Sequence, residues 1–125
     1  MTKKPKRDNK REHRIDMEIV VDCYDRHERA MGWYYYMESS LQFPFTAVCI
    51  AERAVSPLRI KDKVEVVGMA PEVECECEIF VCIRWDRPQG LAVPVAQLKP
   101  VRQSSEQTKQ AVADWHYWKN MGYEY

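Results

Sequence analysis

The 125-residue chain has no apolar run approaching the roughly 20 residues that a membrane-spanning helix needs, so no spanning segment is expected. No apolar stretch follows the basic residues near the N-terminus, which argues against a secretory signal and for a reducing, cytoplasmic setting. The five cysteines are an odd number, so a closed disulfide framework is not expected and they are read as free thiols. Also missing are a Gly-rich phosphate loop, a G-x-S-x-G elbow, an H-E-x-x-H helix and a D-x-D-x-D-G loop. These absences argue against nucleotide-dependent, hydrolytic and EF-hand chemistry. Cys49 and His116 show no partner at catalytic spacing, and the chain is read as non-enzymatic.

What is present is the material of one ordinary globular domain, with 46% apolar and 30% charged residues in a length too short to divide comfortably. The net charge of zero conceals an asymmetry. Residues 1–14 carry seven Lys/Arg against two Asp/Glu, and residues 15–125 carry twelve against seventeen. The basic stretch MTKKPKRDNKREHR has no apolar residue after Met1 with which to offset the entropy of ordering, so it is expected to be a disordered arm ahead of a single domain spanning 15–125.

IDMEIVVDC fits both a strand and a helix, with a slight preference for helix. Asp25 and Glu28 resemble a capping box, and the helix that follows bears Ala30, Trp33, Tyr34, Met37 and Leu41 as one apolar stripe, weakened locally by Gly32. The stripe is read as core in preference to a platform for stacked bases. QFPF ends the helix at Pro44. TAVCIA, KDKVEVVGMA, VECECEIFVCIRW and GLAVPVAQL then read as four antiparallel strands, expected to curl into a small SH3-like β-barrel. A final helix starts at Ser104 or Ser105 and turns Ala111, Trp115 and Trp118 to one face. The fold class is therefore α+β, a small barrel flanked by N-terminal and C-terminal helices.

The segment ECECEIFVCIRW poses the chemical question, since it offers both thiolates and carboxylates. If it is a strand, Cys75 and Cys77 share one face with Val73, Ile79, Val81, Ile83 and Trp85, which makes both cysteines core residues without metal. A zinc site would need two further ligands, and His13, His27 and His116 are scattered singly. Glu72, Glu74, Glu76 and Glu78 then occupy the other face as a dense negative row. Same-face neighbours about 7 Å apart do not form a preformed cage, although adjacent carboxylates can lean around one hard divalent ion. The competing interpretation is a solvated, edge-protecting acidic strand.

The blocks AMGWYYYMESSLQFPFTAVCIAERAVSPLRIKDKVEVVGMAPEVECECEIFVCIRW, GLAVPVAQL and DWHYWKNMGYEY together resemble the CcbP-type calcium-binding family from about residue 13 onward. The resemblance implies a small α+β protein that binds and buffers calcium ion through acidic surface groups without an EF-hand. It also implies a role for the residues after WYYY, where the family usually has Glu then Asp. Glu38 matches the first, and Ser39 replaces the second, which predicts weakened affinity. The candidate ligands are thus Glu38, Ser39, Glu72, Glu74, Glu76 and Glu78. The runner-up reading is an SH3-like nucleic-acid-binding module that contacts phosphates through Lys3, Lys4, Lys6, Arg7, Lys10 and Arg11.

Overall fold

The computed structural model describes residues 4–125. Three helices, α1 (Asn9–Arg14), α2 (Arg26–Ser40) and α3 (Glu106–Asn120), accompany five strands: β1 (Phe45–Cys49), β2 (Lys63–Met69), β3 (Phe80–Ile83), β4 (Leu91–Pro94) and β5 (Leu98–Pro100). The strands form one antiparallel sheet in the order β4-β3-β2-β1-β5. The α+β class is as expected, but the closed barrel is not formed. β4 runs through a 3-10 turn at Val95–Gln97 into β5 without pairing with it, so the sheet stays open.

α2 follows its sequence signals closely. Asp25 accepts the Glu28 amide at 2.8 Å as N-cap, and Ala30, Trp33, Tyr34, Met37 and Leu41 are all buried. Ser105 caps α3 by accepting the Thr108 amide, and α3 buries Ala111, Trp115 and Trp118. The two helices meet through their indoles. Trp33 and Trp115 lie edge to face with centroids 5.0 Å apart, and Trp115 stacks on Trp118 at 5.6 Å. The sheet closes the core from the other side with Ala47, Val64, Val66, Val81, Ile83 and Val93.

Ahead of α2, Ile15–Ile19 forms a π-helical turn, with the Val20 amide donating to the Ile15 carbonyl at 2.9 Å. Ile15 and Ile19 are its buried residues, while Met17, Val21 and Tyr24 are exposed. Gly32 has a positive role in this packing. A Cβ there would collide with the Ile19 carbonyl oxygen, so the glycine admits the turn against α2.

Two expectations require correction. Residues 9–14, assigned to a disordered arm, form α1 and are tied to the domain. Arg14 grips the fully buried Asp114 of α3 through Nη2 and Nε at 2.7 and 3.1 Å, and Arg11 Nε lies 2.8 Å from the same carboxylate. Glu12 accepts from the hydroxyls of Tyr117 and Tyr123 at 2.6 and 2.9 Å. The arm lacks apolar residues but satisfies a buried charge, a contribution that composition does not reveal.

The second correction concerns the glutamate row. It is not a strand. β3 begins only at Phe80, Glu72–Cys75 make a 3-10 turn, and the whole segment is an excursion between β2 and β3 closed by the Ala70 amide on the Phe80 carbonyl at 3.2 Å. Four like charges along one strand face disfavour that conformation. Cys75 anchors the loop in the core, with its sulfur accepting the Phe80 amide at 3.3 Å, whereas Cys77 is exposed and not the core residue that strand alternation predicted.

Candidate metal site

The loop's position follows from Tyr34, whose buried hydroxyl donates to the Ala70 carbonyl at 2.9 Å and so joins α2 to the end of β2. The start of the glutamate loop is thereby held beside the last two turns of α2. The neighbouring Tyr35 donates its exposed hydroxyl to Glu72 Oε1 at 3.0 Å. The Tyr35 phenol is raised above its usual pKa first by this bond, then by the charge of Glu72 and, more weakly, of Glu38. The Tyr34 phenol is raised mainly by burial and then by Glu38, with Glu72 also contributing. Both carboxylates thus act on the same pair of phenols, although 34 residues separate them in sequence.

Glu38 and Ser39 are exposed in the final turn of α2, and the Ser39 hydroxyl donates to the Tyr36 carbonyl at 3.1 Å. The last carbonyls of any α-helix lack intrahelical partners and carry the negative end of its dipole. A carboxylate there is unfavourable unless a cation faces it, and the last turn of α2 contains no basic residue. The available donors are hard oxygens: two carboxylates, main-chain carbonyls and the Ser39 hydroxyl.

The other glutamates are placed differently. Glu74 is exposed on the same 3-10 turn as Glu72. Glu76 lines a cavity beside Arg26 and His27. Glu78 is held by Arg53 through a two-pronged ion pair at 2.6 and 3.0 Å. The row is therefore split among three environments. Among the described residues, no three His, Cys, Asp or Glu side chains are gathered as a cage. Sequence reading overlooked Tyr35 and Arg53; the i,i+3 spacing of Tyr35 and Glu38 on α2 was the available signal for the first.

The residues assigned to phosphate contact are also dispersed in role. Arg11 is committed to Asp114, and Arg7 bonds Asn9 Oδ1 at 3.0 Å and lies 4.0 Å from Glu12. Lys4, Lys6 and Lys10 are exposed, and Lys3 lies outside the described residues.

Comparison with known proteins gives the family. Residues 13–119 match the model of the CcbP family, described as calcium binding. The crystal structure of Anabaena CcbP superposes with a TM-score of 0.86 at 35% identity, covering 99% of this chain and 100% of that one. A calcium-binding protein in its calcium-binding form superposes with a TM-score of 0.82 at 36% identity, covering 95% of this chain and 96% of that one. Comparison with curated proteins returned no match. An extensive family match and two full-length structural likenesses lead to one conclusion: the chain belongs to the CcbP calcium-binding family.

Proposed function

We propose that the protein binds calcium, weakly, where the end of α2 meets the glutamate loop, and serves to buffer the ion. The observation that carries the reading is that Glu38, in the last turn of α2, and Glu72, bonded to Tyr35, both act on the Tyr34 and Tyr35 phenols, beside the end of a helix with no basic residue in its last turn. A divalent ion there gains coordination and relieves both the carboxylate repulsion and the unfavourable dipole contact. Glu38 and Glu72 supply carboxylates, Tyr35 orients Glu72, and Ser39 and Glu74 flank the ion. Helix-terminal carbonyls and water complete the six to eight oxygens that calcium takes. Relatives of the same fold include one solved in a calcium-binding form, which supports the choice of ion.

Two carboxylates without a gathered third predict low affinity, because calcium sites tune strength by ligand charge. Calorimetric titration of calcium into chelator-stripped protein, with magnesium as control, tests the proposal. Saturable calcium binding that falls sharply in Glu38→Gln and Glu72→Gln is expected, with magnesium competing poorly because it demands near-octahedral geometry. Absence of heat, chemical-shift change and thermal stabilisation at millimolar calcium would show that this member keeps the fold without the ion.

A further inference from the structure

On the side of α3 that faces β5 and the segment preceding α1, a groove of about 440 Å³ is lined by apolar and cationic residues. Ile50, Pro100 and Val112 contribute apolar wall, and Ile50 is 45% exposed. Every charged residue on the lining is basic: Arg11, Lys99 and Lys109. Arg11 also serves Asp114, and Lys109 bonds Glu106 at 2.9 Å and the Arg102 carbonyl at 3.1 Å. Lys99 has no ion-pair partner among the described residues. His116 adds no positive charge at neutral pH. Burial lowers its pKa, and its Nε2–H donates to the Leu98 carbonyl at 2.7 Å.

We infer that this groove binds a small amphipathic carboxylate, its apolar body on the Ile50 and Val112 wall and its anionic head at Lys99. A mostly apolar concavity with a few convergent polar groups is the usual form of a small-molecule site, and the volume lies in the range of such sites. The low-dielectric wall strengthens the attraction between Lys99 and an anion, while the absence of lining carboxylates disfavours a cationic ligand. A peptide helix fits poorly, since one turn about 10 Å across and 5.4 Å long already occupies about 420 Å³, nearly the whole groove, and a longer helix would lie largely outside it. A polyanion is disfavoured too, because it would need several unpaired cations in a row. The site is distinct from the candidate calcium site and uses none of its residues.

Decanoate is a suitable probe, titrated into calcium-free protein below its micellar concentration and followed by amide chemical shifts, with decanol and decyltrimethylammonium as controls. Saturable shifts at Ile50, Lys99, Val112 and His116 are expected for decanoate, with weaker binding of both controls. Lys99→Glu, an exposed substitution, should weaken decanoate by about fivefold, on the scale of a partly exposed ion pair, and leave the calcium response unchanged. Ala113→Trp should fill the groove and block binding. Any of four results overturns the inference: no shifts at millimolar decanoate, shifts confined to other surfaces, equal affinity for either control, or unchanged affinity in Lys99→Glu. Binding to anionic vesicles without binding to free decanoate would also overturn it, as a membrane-surface contact.

Discussion

Ser39 is exposed on the last turn of α2 beside Glu38. Ser39→Asp is expected to raise calcium affinity about twentyfold, since a doubly charged ion about 5 Å from a new carboxylate gains about 1.7 kcal/mol even at the dielectric constant of water. Glu78→Gln provides the contrast. Both its oxygens are taken by Arg53, so calorimetry should find calcium affinity nearly unchanged while stability falls slightly. Asp114 joins Arg11 and Arg14 to α3 in the interior. Wholly buried, it also accepts from the Tyr36 hydroxyl at 2.9 Å, and its hydrogen bond raises the pKa of Arg14. Asp114→Asn leaves two part-buried guanidinium groups uncompensated and should lower unfolding free energy by about 3 kcal/mol or more, measured by urea denaturation.

At the scale of elements, α1 is held by polar contacts alone, for none of its residues is buried. Removing residues 1–14 takes away both guanidinium partners of Asp114 and the Glu12 acceptor of two tyrosine hydroxyls, and should cost about 3 kcal/mol on the scale of broken buried ion pairs. A truncated protein as stable as the full chain would show that α1 is dispensable. The contact between α3 and β5 predicts a pH dependence through His116. Burial is the largest cause of its lowered pKa, Lys99 adds to it, and the bond to Leu98 opposes it. The folded pKa therefore lies below the unfolded value of about 6.5, and in that window the unfolded chain binds a proton that the folded chain refuses. His116 should make stability fall as pH drops below about 6.5, by at most about 1.4 kcal/mol per pH unit, and level off below the folded pKa. Urea denaturation between pH 7.5 and 5.0 should show a flatter profile for His116→Gln than for the parent.

For the whole molecule, 19 basic and 19 acidic residues and an isoelectric point near 6.8 predict minimal solubility close to neutral pH, which turbidity across a pH series would reveal. The sequence by itself determined the elements whose signals are local. The Asp25 cap, the stripe from Ala30 to Leu41 and the Ser105 cap depend on spacings within a few residues, and the structure reproduces each of them. Sequence blocks long enough to be distinctive likewise identified the family, and 107 consecutive residues match its model. Tertiary structure decided everything that depends on distant partners. Alternation made the glutamate segment look like a strand, but only the closure of Ala70 on Phe80 makes it a loop. The basic run looked free because Asp114, a hundred residues away from Arg14, is invisible to composition. Glu38 and Glu72 act on the same tyrosines only because Tyr34 ties α2 to the end of β2. Local backbone preferences and side-chain periodicity are encoded within a turn or two of chain, whereas a buried charge finds its counter-ion, and a carboxylate its neighbour, only through the packed core that brings them together.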